Sequence, residues 1–176
     1  EHNDQIRGAG NFSAVFAFLE LLRKKRIYSM VMLTLTQSNL DQVLPLAELL
    51  RDRVDLFTYN RLSMVGEGAN LESPQKDDYR QFVGEYLKAQ QNNPVLALKD
   101  SLLNIERERR QQGLFGGCTG FGCGAAFNFV SLLPDGQVHA CRKFPSPIGD
   151  ITRPGLQEIY DAARARAYRA GCQECR

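Results

Sequence analysis

Five cysteines carry the clearest chemistry in this chain. Cys118, Cys123 and Cys141 lie within one short stretch, and Cys172 and Cys175 form a CxxC. A metal centre needs thiolates converging from several segments, and CxxC is the tightest spacing that brings two of them to one centre. An odd number of cysteines, with a polar start from Glu1 to Arg7 and no signal-peptide pattern, argues against a disulfide framework. A thioredoxin-like CxxC opens a helix after a strand, whereas this one follows a helix, which favours a metal. Three cysteines inside the 24 residues from Cys118 to Cys141, beside the six glycines of Gly113 to Gly124, also fit buried apolar packing poorly. Zinc and iron–sulfur both accept all-cysteine sites, so the thiols alone leave the metal open. His139 stands two residues before Cys141, on the same face of a strand. It either tunes a metal centre by hydrogen bonding or, as is commoner, is satisfied locally.

Positioning such thiols requires a scaffold, and the chain changes character along its length. Val15, Phe18, Leu19 and Leu22 recur at helical spacing, with Arg23 to Arg26 supplying cations at the helix end. Tyr28 to Thr36 reads as a buried strand, and Val54 to Tyr59 as a second. Between them, Ser38 and Asp41 resemble a capping box opening a helix that Pro45 should bend. Strand–helix–strand at this spacing is a parallel crossover unit. Two strands close neither a barrel nor a doubly wound sheet, so further strands outside the chain, or neighbouring copies, are expected to cover the edges. Ser73-Pro74 and Asn93-Pro94 then announce two helices, the second carrying Leu98, Leu102 and Ile105.

From Gly113 the chain is loop-rich. Pro134-Asp135-Gly136 joins two short strands, Phe127 to Leu133 and Gln137 to Arg142, as a hairpin. A final helix with Leu156, Ile159, Tyr160 and Ala163 leads to the CxxC. The expected fold is α/β: an incomplete (β/α) segment over residues 1–72, a helical connector over 73–112, and a small cysteine-rich β-hairpin domain over 113–176.

The 22 Lys and Arg against 20 Asp and Glu leave a formal charge of +2, which offers no electrostatic case for nucleic acid. The arginine runs at Arg107, Arg109 and Arg110, and from Arg164 to Arg169, read as solvated helix faces. No stretch approaches a membrane span, so a cytoplasmic protein is expected.

Cys123, twelve residues, Gly136, four residues and Cys141, followed by a CxxC, resembles the opening of the SPASM domain of radical S-adenosylmethionine (SAM) enzymes. The segment Ile148-Gly149-Asp150-Ile151 resembles the turn that follows the hairpin there. Upstream, Ile27 to Asn39 and Asp55 to Gly68 are similar to the fifth and sixth strand regions of the radical SAM barrel. The stretch Arg7 to Phe12 resembles the loop after the fourth.

The resemblance implies a parent enzyme that cleaves SAM reductively at a [4Fe-4S] cluster held by CxxxCxxC, and whose SPASM part holds auxiliary [4Fe-4S] clusters. It also implies a peptide or protein substrate and an electron donor as partners. Cys118, Cys123 and Cys141 would be ligands of the first auxiliary cluster, and Cys172 and Cys175 of the second. Arg61 would hold SAM or a neighbouring acid at the barrel mouth, which Thr34 and Thr36 would line. The sequence has no CxxxCxxC. These residues are therefore expected to be an inactive piece of a maturase, the alternative being a non-catalytic zinc- or cluster-binding interaction module.

Overall fold

A computed structural model describes residues 2–115, 123–152 and 155–170 of the chain. The described residues of 1–62 and 71–114 form one compact unit, and those of 63–70 and 115–176 form another.

The first unit is built on two parallel strands, β1 (Met30–Leu35) and β2 (Leu56–Arg61), paired from Met30↔Leu56 to Leu35↔Arg61. Helices α1 (His2–Arg7) and α2 (Asn11–Lys24) precede β1, and α3 (Val43–Leu50) joins the strands after a 3₁₀ turn over Gln37–Gln42. The sheet is open, as expected for an incomplete α/β layer. Burial along β1 alternates instead of being continuous: Leu35 is buried while Met30, Met32 and Thr34 are exposed. The expected fully buried strand is thus covered on one face. The apolar stripe of α2 is likewise mostly uncovered, with Leu19 buried but Val15, Phe18 and Leu21 exposed.

Strand β2 meets α4 (Lys76–Gln90) through an aromatic cluster on the covered face, where Tyr59 is paired with Leu33 of β1. The Tyr59 ring centre lies 5.2 Å from Phe82 and 5.1 Å from Tyr86, both edge-on. Edge-to-face packing of this kind adds to the stabilisation from burial alone. Three local expectations are revised. The cap before α3 is Thr36 with Asn39, not Ser38 with Asp41: Asn39 Oδ1 accepts the Thr36 N–H at 2.9 Å, and its Nδ2 donates to Thr34 O at 3.0 Å. Pro45 falls in the first turn of α3, where its missing N–H costs nothing. Asn93 does not open a helix; its amide donates to Ala47 O and its carbonyl accepts Val95 N–H, guiding Leu96 into a parallel bridge with Phe57. Helix α5 begins only at Leu103 and ends at Arg109.

In the second unit, β3 (Ser131–Leu132), β4 (Gln137–His139) and β5 (Pro147–Asp150) form an antiparallel sheet in that order. The β3–β4 turn follows its sequence. Pro134 presets the first corner, Gly136 N–H donates to Leu133 O at 3.0 Å, and Gly136 takes φ +89°, open to glycine at no steric cost. The strands are shorter than expected, because Phe127 lies in a turn bounded by the Ala125–Phe129 bridge. Ile148 to Asp150, anticipated as a turn, belongs to β5. The anticipated single final helix is two, α6 (Leu156–Tyr160) and α7 (Ala163–Ala170). Ala126, Val138, Ala140, Ile148, Ile159 and Ala165 make up the core, with Val130 and Ile151 against it.

Candidate metal centre

Cys141 lies two residues beyond the end of β4. Cys141 is buried at the start of a six-residue loop that ends at Ser146, which is itself fully buried. Ser146 organises that loop. Its Oγ accepts the Cys141 N–H at 3.0 Å and lies within donating reach of Cys141 O at 3.0 Å and Phe144 O at 3.1 Å. Its backbone carbonyl accepts Ala140 N–H at 2.9 Å. The loop so folded aims Lys143 N–H at Cys141 Sγ, 3.4 Å away. An N–H directed at sulfur is the kind of hydrogen bond that tunes a metal-bound cysteine.

His139 has its ring turned into the same loop. Nδ1 accepts Ser146 N–H at 3.1 Å, and Nε2 lies 3.1 Å from Gln137 Oε1. Since Nδ1 must accept, the proton sits on Nε2 and is given to Gln137. The histidine is satisfied locally and also supports the cysteine loop.

Cys123 is exposed and precedes a tight turn. A Cβ on Gly124 would run into Asn128 Oδ1 and come within 2.9 Å of the Phe129 ring, so a larger residue directly after this thiol requires those side chains to move. Cys118, Cys172 and Cys175 lie outside the described residues. Among the described residues, no three of His, Cys, Asp and Glu gather into a metal site. The donor chemistry nonetheless fits a thiolate centre at Cys141: a buried sulfur, an N–H aimed at it, and a loop fixed by a buried hydroxyl. Sequence reasoning passed over Ser146, whose only linear signal is its position five residues after a cysteine.

Replacing Ser146 by alanine strands the buried Cys141 N–H. The expected loss is about 1–2 kcal/mol. Cys141 alkylation should accelerate about tenfold for each ~1.4 kcal/mol lost, if it proceeds through loop opening. Denaturant titration and mass-spectrometric alkylation rates at Cys141 measure the two effects.

The residues expected at the barrel mouth all belong to the first unit. Arg61 Nε meets Asp100 Oδ2 at 2.5 Å, with Asp100 only 6% exposed against 50% for Arg61. Asp100 also accepts from Tyr79 Oη at 3.3 Å and from Leu102 N–H at 3.0 Å, so the acid that Arg61 meets is itself held from two further sides. Thr34 and Thr36 line an open groove of about 580 Å³ together with Asn39, Gln42 and apolar groups from α1 to α3. The Thr36 hydroxyl is already 3.1 Å from that of Ser38.

Residues 123–176 match the SPASM family, an iron–sulfur cluster-binding domain. Over 168 residues the chain is 26% identical to the antilisterial bacteriocin subtilosin biosynthesis protein AlbA of Bacillus subtilis (strain 168). That likeness takes in 92% of this chain and 35% of the relative, so the chain spans about a third of the length of the curated protein it matches.

Proposed function

We propose that this chain, a radical SAM/SPASM fragment, supplies the auxiliary-cluster region of an enzyme that modifies a peptide or protein. The observation that carries the reading is the coincidence of the SPASM match with the Cys141–Ser146 loop, where a backbone N–H is aimed at a buried sulfur. Residues 1–72 are assigned to the later part of a (β/α) barrel, 73–112 to a helical connector and 113–176 to the start of the SPASM domain. Cys118, Cys123 and Cys141 are assigned to one [4Fe-4S] cluster, and Cys172 and Cys175 to another. Bound clusters supply electron transfer at a potential set by charge, hydrogen bonds and exposure. This chain's own part is to hold the Cys141 thiolate, direct Lys143 N–H at it, and exclude water from it.

The thinness of the core supports the reading. Among the described residues, three of the six side chains that cluster in this core are alanines, a small apolar reserve that ligation of cysteines would reinforce. Arg61, Thr34 and Thr36 are assigned to the barrel mouth, Arg61 acting through Asp100. The relative's part in bacteriocin biosynthesis favours a peptide substrate, with an electron donor as second partner. No helix among the described residues is long and apolar enough to cross a membrane, and a cytoplasmic location is assigned on that basis and on composition. With no CxxxCxxC, the 176 residues do not cleave SAM by themselves.

The test is iron, acid-labile sulfide and zinc content of the anaerobically purified chain. Iron and sulfide together are expected, and Cys141→Ala should remove most of both while leaving the helical signal of the first unit. Stoichiometric zinc without sulfide would replace this reading with that of a structural zinc module.

A further inference from the structure

Residues 63–70 belong to the second unit, although they stand far ahead of the rest of it in sequence. One of them reaches the Cys141–Ser146 loop. Ser63 Oγ donates to Lys143 O at 2.9 Å, across 80 positions of chain. Lys143 is the residue whose N–H is aimed at Cys141 Sγ, 3.4 Å away. Both polar groups of its backbone are therefore engaged, the N–H with the sulfur and the carbonyl with Ser63.

The Ser146 hydroxyl cannot serve every carbonyl of this loop. It has a single proton, and Cys141 O and Phe144 O already lie within its reach. Lys143 O stands between those two in sequence and receives its proton from Ser63 instead. The ends of the loop are held by His139 Nδ1, which accepts Ser146 N–H, and by Ser146 Oγ, which accepts Cys141 N–H. Its tip is reached from outside by the Ser63 hydroxyl and by the Tyr168 ring, 6.1 Å from that of Phe144.

A hydrogen bond weakens steeply as its angle closes, so a modest rotation of Lys143 turns the N–H off the sulfur. The N–H and the carbonyl of one residue are separated only by φ and ψ, and fixing one restricts the other. The Ser63–Lys143 bond is open to water, which keeps its net stabilisation small. Its consequence is directional.

We propose that Ser63 is a positioning residue for the Cys141 sulfur: by holding the Lys143 carbonyl it keeps the Lys143 N–H on the thiolate that ligates metal. Hydrogen bonds to a ligating sulfur help to set the reduction potential of the cluster it holds, so Ser63 tunes that potential without touching the ligand. The inference rests on reading Cys141 as a ligand, but its first test needs no metal.

That test is exchange of backbone amides with water, followed by NMR on the metal-free 176-residue chain. In Ser63→Ala the Lys143 amide is expected to exchange about threefold faster, the factor that about 0.7 kcal/mol of local protection represents. Ser63→Thr keeps the hydroxyl and should restore the original rate. The amides of Ala140, which donates to Ser146 O, and of Val138 in the core should not change. An unchanged Lys143 amide in Ser63→Ala overturns the proposal. Acceleration at Gly68 instead, whose N–H donates to Val65 O, would show that Ser63 only tethers its own segment. Equal acceleration at Lys143, Ala140 and Val138 would mean a general loosening and also overturns it, as does a threonine variant no slower than alanine. In the iron-loaded chain Ser63→Ala should move the cluster potential to more negative values, and an unmoved potential removes the tuning role. Metal analysis tests the iron–sulfur reading separately, so zinc or an apo protein there leaves the exchange result standing.

Discussion

Gly149→Ala is expected to destabilise the second unit by about 3 kcal/mol, the upper end of the usual cost of overfilling a packed site. The added methyl would lie 2.8 Å from Ile159 Cγ2 and 2.9 Å from its Cγ1, distances at which something must move. Ile159 has nowhere to go, because it is buried among Val138, Ile148 and Ala165. The small gain from restricting the unfolded chain, about 0.4–1 kcal/mol, does not offset this. Ile159→Ala removes the obstructing atoms, so the two substitutions together should cost less than their sum. A double-mutant cycle by denaturant titration measures that coupling. Additive costs would mean that the close approach of β5 to α6 is not what demands glycine. Since β5 also brackets the Cys141–Ser146 loop, Gly149→Ala should lower iron incorporation in step with stability.

Gly149 also illustrates what a linear reading captures. The residues from Ile148 to Ile151 stand out as a unit only by resemblance to the turn that follows the hairpin in SPASM domains, whereas Ile148 to Asp150 form part of β5. The strand exists because β4 supplies the pairing and Ile159 the cover, neither of which is local. Pro134-Asp135-Gly136 was readable for the opposite reason: φ preset by proline and positive φ taken by glycine are properties of those residues alone. The spacing of Cys123, Gly136 and Cys141 belongs with it, since it marks the family that residues 123–176 match. Ser146 was not readable, because its worth comes from being buried among backbone groups that only the fold assembles.

The helical segments show the same division. Leu156, Ile159, Tyr160 and Ala163 obey helical periodicity, so one helix was the natural reading. Yet Ile159 and Ala165 share one core, and on a straight helix positions six apart point about 120° apart. The break between α6 and α7 is what lets both turn inward, and it also places Tyr160 under Arg169. In the first unit, Thr36 with Asn39 and Ser38 with Asp41 offer competing caps of the same form. The earlier pair prevails because Asn39 also reaches Thr34 O, a contact that presupposes the end of β1. Arg61, Thr34 and Thr36 are expected at a barrel mouth only from a family pattern, whereas Asp100, the partner of Arg61, lies 39 positions on and gives no sign in the sequence.

Alkaline solution should unfold the first unit sharply between about pH 10 and 12, and its buried tyrosines should ionise with unfolding, not before it. Tyr59 and Tyr86 are at most 1% exposed, and Tyr79 joins them through its hydroxyl, 3.1 Å from that of Tyr59. Burial, which penalises the phenolate, pushes the Tyr79 and Tyr86 hydroxyls up to about 12. Burial, reinforced by Tyr79, raises Tyr59 further still. A pKa raised in the folded state gives stability that is complete below the unfolded value, about 10, and is lost as pH climbs toward the folded one. Above pH 10 the unfolded chain has released protons that the native state retains, so each fully buried tyrosine withdraws about 1.4 kcal/mol per pH unit. Tyr59 and Tyr86 together withdraw about 2.7 kcal/mol per unit, which consumes the whole stability of an ordinary domain within a few pH units. Tyr79 adds less because it is only half-buried. Phenolate absorbance near ~295 nm, followed beside far-UV circular dichroism, reads the two events; their coincidence for the buried tyrosines is the expected result. Tyr86→Phe gives up the hydrogen bond to Ala97 O, worth about 1 kcal/mol at neutral pH, and should flatten the alkaline limb. Phenolate formation by these tyrosines while the helices persist would show that the aromatic cluster admits water and contributes little to holding α4 on β2.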